Sequence, residues 1–286
     1  MSSRRRAEAR WPAPLAAVCA LLVLAAAPAQ AQRADADAGL PLWELGLGAG
    51  ALSLPHYRGS DQSQQWLLPV PYAVYRGDIL RADRDGARAV LLDSDRLDFD
   101  LSAGASAPAK SRDNRARSGM PDLAPTVEFG PNLNLTLARG AGWKLDLRLP
   151  VTAVFTLGSD ARSIGWAAAP NLNLDLQRNG WNLGLLAGPL FGSRAYHAYF
   201  YDVAPEYATA ARPAYRARGG MAGWRVTGAL SRRFGDLWLG AFVRADSLAG
   251  ARFDDSPLVR RRQHLSAGLA LSWIFKVSDA RVAEQP

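Results

Sequence analysis

WKLDLRLPVTAVF, residues 143–155, alternates between apolar and polar side chains over most of its length. A period of two places the apolar side chains on one face of a β-strand and the polar side chains on the other. The segment is longer than the roughly five or six residues typical of strands in soluble proteins. It reaches the ~9–11 residues that a tilted strand needs to cross a bilayer. The segment therefore predicts a transmembrane β-strand.

The same alternation recurs along the chain and predicts an all-β fold, an antiparallel up-and-down transmembrane β-barrel of about twelve strands, within a range of roughly 10–14. The strands are expected at residues 43–53, 66–75, 78–83, 86–92, 96–105, 126–138, 143–156, 164–177, 181–191, 221–234, 237–246 and 263–275. Short turns alternate with long loops, with one exception at the turn over 83–85, as in outer-membrane barrels, where turns face the periplasm and loops the exterior. The long loops are expected at residues 54–65, 106–125, 157–163, 192–220 and 247–262.

Aromatic residues at the predicted strand ends suggest two girdles, one at each membrane surface. The periplasmic girdle would contain Trp43, Trp143, Trp181, Phe234, Trp238, Trp273 and Phe275. The outer girdle would contain Trp66, Phe155, Trp166, Phe191 and Trp224. Alternation does not say which strand face points outward, so a soluble exported β-sandwich or a lipocalin-like barrel remains an alternative.

The start of the chain predicts a cleaved signal peptide over residues 1–31. A basic region with Arg4, Arg5 and Arg6 precedes an apolar stretch over 12–28, and Ala29-Gln30-Ala31 forms a cleavage site. The alternative is an uncleaved membrane anchor. The predicted organisation then continues with a short periplasmic segment at 32–42, the transmembrane barrel at 43–275 and a polar tail at 276–286.

The residue types that carry catalysis are sparse. The single cysteine, Cys19, lies in the predicted signal peptide, which excludes disulfides, thiol nucleophiles and thiolate metal sites in the mature chain. The spacing of the three histidines fits no metal motif, so no metal, cofactor or catalytic residue is assigned. A serine paired with His56 or His197 on the outer rim could form a hydrolase site, as in barrel lipases. The candidate serines are Ser53, Ser60 and Ser193.

Charged residues on the polar strand faces would line the lumen. They are Glu44, Asp98, Asp100, Glu128, Lys144, Asp146, Arg148, Asp175, Arg225 and Arg233. One interpretation is a water-filled pore, and the other is a plug of salt bridges in a narrow lumen.

The predicted external loops carry basic and aromatic clusters. Basic residues suited to lipopolysaccharide phosphates are Lys110, Arg112, Arg115, Arg117, Arg260, Arg261 and Arg262. The formal net charge of +8 fits a phosphate-rich partner, and export favours outer-membrane lipid over nucleic acid. Loop 192–220 contains an aromatic run that folds inward as a plug or faces outward as a binding surface. Its members are Tyr196, Tyr199, Phe200, Tyr201, Tyr207 and Tyr215.

Several segments together resemble the MipA/OmpV family of outer-membrane proteins. They are PHYRGSD (55–61), LPVPY (68–72), YFYDV (199–203), DSPLV (255–259) and AGLALSWIF (267–275). The resemblance implies a Gram-negative outer-membrane barrel that is a non-enzymatic scaffold, with a lytic murein transglycosylase and a murein synthase as partners. Other family members are described as porin-like or adhesin-like, so a small-solute porin and a surface adhesin or receptor are the alternatives. Family members tend to end at the terminal aromatic residue, whereas this chain continues through 276–286.

Overall fold

The computed structural model describes residues 39–77, 80–83, 86–94, 96–158 and 161–282. The predicted signal peptide at 1–31 therefore lies outside the described residues, as do most of segment 32–42 and the last residues of the tail. Residues 41–282 form one compact unit.

The described elements are almost all strands. In chain order they are β1 (Leu40–Pro41), β2 (Trp43–Pro55), β3 (Ser63–Arg76), β4 (Leu80–Asp83), β5 (Gly86–Asp93), β6 (Leu97–Ser106), β7 (Thr126–Gly140), β8 (Trp143–Thr156), β9 (Ser163–Ala168), β10 (Asn171–Arg178), β11 (Trp181–Gly192), β12 (Gly220–Phe234), β13 (Leu237–Ser247), β14 (Gln263–Val277) and β15 (Arg281–Val282). A helix, α1 (Arg194–Tyr201), lies in the loop between β11 and β12. Single turns of 3₁₀ helix occur at Ser111–Asp113, Arg115–Arg117 and Pro205–Tyr207.

Strands β2 to β14 form a closed antiparallel barrel. Neighbours along the chain pair with one another, and β14 pairs with β2, from Ala267 opposite Ser53 to Val277 opposite Glu44. Strands β9 and β10 share one position in the wall, because β8 and β11 each pair with both of them. The described strands thus fill twelve positions, and the predicted antiparallel barrel is confirmed.

The predicted strand over 164–177 is interrupted between β9 and β10. The break contains Pro170, which has no backbone N–H to donate to the ladder. The wall stays continuous because β8 pairs with both halves.

The strand connections alternate in length as predicted. Asn179 and Gly180 have positive φ angles of 51° and 75°, the backbone of a two-residue hairpin turn that matches the twist of its strands. Successive strands run in opposite directions, so the long loops emerge together at one end, here called the loop end. The short turns emerge at the opposite end, here called the turn end, apart from the short connection between β4 and β5, which lies at the loop end.

The outward face of the barrel is apolar. In β14, Leu271 and Trp273 are 52% and 58% exposed, whereas Ser266 and Ser272 between the outward residues are buried. Phe129 in β7 is likewise an apolar residue with an exposed side chain, at 52%. A soluble barrel would bury its apolar face, so the structure decides against that alternative and in favour of a lipid-facing wall.

Candidate functional site

Four loops at the loop end pack together into a single structure, here called the cap. They are residues 56–62, 107–125, 193–219 and 248–262, and they share one hydrophobic core in which Leu248, Phe253 and Leu258 are fully buried. The loops leave the rim after β2, β6, β11 and β13, at separate points around the barrel. They can meet only by extending across the mouth of the lumen, so the cap covers that mouth.

Aromatic rings form the centre of the cap. The ring of Tyr201 stacks on Phe253 with centroids 3.7 Å apart, and His197 approaches the edge of Phe253 at 4.6 Å. Tyr57 meets Tyr201 edge-on at 6.3 Å. The aromatic run of loop 193–219 therefore contributes Tyr201 to an internal core, as the plug interpretation predicted.

Hydrogen bonds between the loops complete the cap. The Tyr57 hydroxyl donates to the Leu258 carbonyl at 2.7 Å, and the Tyr201 hydroxyl donates to the Arg58 carbonyl at 2.7 Å. Arg117 donates from Nη1 to the Phe200 carbonyl at 3.0 Å. These bonds join segments far apart in sequence, which fixes the loops as one unit.

The predicted basic cluster is divided by the fold. Arg117 is only 4% exposed and bonds within the cap, so its proposed contact with lipopolysaccharide is wrong. Other members of the cluster are exposed and remain available to phosphates: Lys110, Arg112, Arg115, Arg260, Arg261 and Arg262.

Burial in the cap shifts the pKa values of several ionisable side chains. It raises the pKa of Tyr57 to about 12 and lowers the pKa of Arg117. It also lowers the pKa of His197, whose Nδ1 lies 2.7 Å from the Arg218 carbonyl. Nδ1 therefore carries the proton, and Nε2 is buried with no hydrogen-bond partner among the described residues. His197 is a neutral core residue at ordinary pH.

The structure does not pair the candidate serines with the histidines. The Ser60 hydroxyl donates to the Gln62 carbonyl at 2.9 Å, and Asn114 Nδ2 contacts both Ser60 Oγ at 3.0 Å and His56 Nδ1 at 3.1 Å. Ser60 is also only 2% exposed, which keeps it from an external substrate.

Ser193 has a local structural role. Its Oγ accepts hydrogen bonds from the backbone N–H groups of Tyr196 and Trp166, each at 3.1 Å, and so caps helix α1. The third candidate, Ser53, lies in β2 opposite Gln65 and Ala267. Within the described part of the chain, no serine hydroxyl is hydrogen-bonded to a histidine ring.

The lumen wall carries networks of paired charges. At the turn end, Glu44 is 2% exposed and accepts from Arg76 at 2.7 Å and from Arg233 at 2.6 Å. Further along, Arg148 lies 3.4 Å from Asp175. Lys144 lies 3.6 Å from Asp146, and Arg225 lies 3.0 Å from Asp246, so ion pairs include seven of the ten predicted inward charges.

A cavity of about 780 Å³ remains between the charged networks. Its lining includes Glu128, Arg148, Asp175, Arg225 and Arg244 together with apolar side chains. The lumen thus contains both ion pairs and an open cavity. The water-filled pore and the salt-bridged plug, the two interpretations of the sequence, each hold in part.

Sequence reasoning missed the densest of these networks. Asp246 in β13 lies 3.0 Å from Arg225, 3.2 Å from Arg58 and 3.6 Å from His264. The alternation of Arg244 and Asp246 with Val243 and Ala245 was the available signal, but it does not identify the partners.

The described residues contain no group of three or more His, Cys, Asp or Glu side chains placed to hold a metal ion. They also contain no helix of the length and apolar character needed to cross a membrane.

Comparisons with known proteins give one match to a family model. The model described as MltA-interacting protein MipA matches residues 47–275. No curated protein sequence matches the chain.

Solved structures with a similar backbone include three examples, each at low sequence identity. A bacterial polysaccharide outer membrane secretin is 9% identical, with a TM-score of 0.42, over 82% of this chain and 99% of that chain. Outer membrane phospholipase A from Escherichia coli is 11% identical, with a TM-score of 0.33, over 82% and 93%. A FadL homologue from Pseudomonas aeruginosa is 10% identical, with a TM-score of 0.32, over 74% and 61%.

Proposed function

Because this chain belongs to the MltA-interacting protein MipA family, we propose that it is a non-enzymatic scaffold of the Gram-negative outer membrane. Its partners would be a lytic murein transglycosylase and a murein synthase, held near the inner surface of that membrane. The observation that carries the proposal is the family match over most of the barrel. A lipid-facing wall with no serine–histidine pair among the described residues is compatible with it.

The turn end offers a surface for such partners. By the usual orientation of outer-membrane barrels, this end faces the periplasm, where murein lies. Exposed basic side chains outnumber exposed acidic ones among its described residues. The basic ones are Arg96, Arg139, Arg178, Lys276 and Arg281, and the acidic ones are Asp236 and Asp279. The basic excess among these described residues favours a partner with an acidic patch, because complementary charge steers association and fixes orientation.

A pull-down from envelopes tests the scaffold. Tagged, mildly solubilised barrel should enrich a murein transglycosylase or synthase over an unrelated barrel. The double substitution Arg139→Glu and Arg178→Glu at the turn end should reduce that enrichment at least about tenfold, as expected when interfacial charges are reversed. The matched control is Arg112→Glu with Arg261→Glu at the loop end, which should retain it. Absence of enrichment, or equal loss in the control, would argue against a periplasmic scaffold.

The lumen cavity favours a second candidate, a small-solute porin. In this case purified barrel in a planar bilayer should give stable conductance steps. Removing part of the cap, by replacing residues 193–219 with a short Gly-Asn turn, should increase the step size. A barrel that shows no steps with or without its cap would exclude this function. The adhesin alternative would have to use aromatic residues other than Tyr201, which lies inside the cap, and Tyr207 and Tyr215 are partly exposed.

A further inference from the structure

Arg244 faces the lumen without an anionic partner. It lines the cavity in β13, where its neighbour Val243 is 55% exposed on the outward face. Among the described residues, no carboxylate oxygen lies within 4.0 Å of its guanidinium, and its buried Nε has no hydrogen-bond acceptor. Its recorded contact is with the ring of Phe242, 5.6 Å from the centroid. A partly buried cation without an anionic partner destabilises the folded protein, and a bound anion would offset that cost.

The carboxylates nearby do not supply that anion. Asp246, two residues along the same strand face, is already shared by Arg58, Arg225 and His264. Its oxygens are therefore occupied by groups other than Arg244.

Glu128 is the other carboxylate that interacts electrostatically with Arg244, and it accepts a hydrogen bond from Thr152 at 3.2 Å. Two carboxylates thus face three guanidinium groups in this part of the lumen, those of Arg58, Arg225 and Arg244. One positive charge is left over.

We propose that the lumen binds a small carboxylate-bearing solute, with its carboxylate on Arg244. A guanidinium matches a carboxylate through two parallel hydrogen bonds, and one excess charge suits a monoanion better than a doubly charged phosphate. The rest of the solute would lie against the apolar part of the cavity, which includes Leu52, Val70, Leu190 and Phe242. The site is independent of the scaffold role.

Hexanoate and hexanamide are matched probes, because they have similar size and differ in charge. Binding to the folded, detergent-solubilised barrel can be followed by calorimetry and by the fluorescence of Trp238, which lines the cavity and does not belong to the periplasmic girdle predicted for it. Hexanoate should bind and hexanamide should not. Arg244→Gln should weaken hexanoate at least about tenfold, since a hydrogen bond to a charged group is lost. Arg244→Lys keeps the positive charge but loses the two parallel hydrogen bonds of the guanidinium. Its affinity for hexanoate should therefore lie between those of the parent and of the Arg244→Gln variant.

The matched control is Arg232→Gln. Arg232 stacks on Trp181 at 5.1 Å and does not line the cavity, so its loss should leave hexanoate binding unchanged. Far-UV circular dichroism confirms that each variant is folded. The proposal is overturned by any of three results: no hexanoate binding up to about 10 mM, equal binding of acid and amide, or tighter binding of methyl phosphate than of hexanoate.

Discussion

His197 shows how a single side chain can couple the cap to pH. It is fully buried, its Nδ1–H is used by the Arg218 carbonyl, and its Nε2 faces Phe253 and Gly192 with no partner among the described residues. Protonation would place a charge in this apolar site, which is why burial lowers the pKa of His197 below its ordinary value of 6.5. A histidine in such a position stabilises the fold only while it is neutral.

We expect the cap to loosen on acidification. Because the folded-state pKa of His197 lies below 6.5, the open cap binds more protons as pH falls through that value. Stability is therefore fully present above the unfolded pKa and declines below it until the folded pKa is passed. Hydrogen exchange of residues 193–219, compared at about pH 7.5 and about pH 5.5, should show lower protection factors at the lower pH, where each protection factor is taken relative to the intrinsic amide exchange rate at that pH.

Variants of the two cap histidines separate this effect from others. The pKa of His56 is also lowered by burial, with a smaller opposing influence of Asp113. His197→Gln should reduce the pH dependence, and His197→Gln combined with His56→Gln should remove most of it. A double variant with the pH response of the parent would show that other groups control the cap.

The cap behaves as a structural element of its own, although no regular sheet or long helix builds it. Its stability comes from side chains that four loops place in one core, around the stacked rings of Tyr201 and Phe253. The barrel wall is held by backbone ladders between neighbouring strands instead. The two parts therefore have different sources of stability and should respond differently to one substitution.

Phe253→Ala should open the cap and leave the barrel intact. Phe253 is 0% exposed, and removal of such a buried ring costs about 3–5 kcal/mol. Limited proteolysis should then cleave loops 193–219 and 248–262 much faster than in the parent, while far-UV circular dichroism still reports the β-barrel.

Phe234→Ala is the matched control for this experiment. Phe234 is 38% exposed at the turn end, remote from the cap. It should leave loop cleavage unchanged. Unaltered proteolysis of the Phe253→Ala variant would mean that the shared core does not hold the loops together.

The barrel wall carries apolar side chains on its outer surface and charged side chains on the surface that faces the lumen. The large exposed apolar residues would form an aggregation-prone surface in water, but in a bilayer they contact lipid. The inner networks around Glu44 and Asp246 then face a lumen whose mouth at the loop end lies beneath the cap.

Leu269→Arg should impair insertion into lipid. Leu269 is 43% exposed in β14, within the lipid-facing row, and a charge near the bilayer midplane costs about 2–4 kcal/mol. Refolding into lipid vesicles, measured by heat-modifiable migration on gels, should show a lower folded fraction. Gln263→Arg, at the loop-end start of the same strand, should cost about 0–1 kcal/mol. Equal behaviour of both variants would contradict a lipid-facing position for Leu269.

Local sequence patterns predicted the strands, the alternation of turns and loops, and the twelve positions of the wall. These features depend on neighbours one or two residues apart, so a period-two pattern and local turn chemistry suffice to predict them. The interruption at Pro170 was missed, although the chemistry of proline could have indicated it.

Three features became apparent only in the folded chain: which strand face meets lipid, how the loops pack over the lumen and which charges are paired. The contacts responsible join residues far apart in the chain, such as Tyr57 with Leu258, 201 positions away, and Glu44 with Arg233, 189 positions away. Such pairs arise from barrel closure and from the packing of loops that leave the rim at different points. For the same reason, the unpaired charge of Arg244 became visible only once the partners of every neighbouring carboxylate were in place.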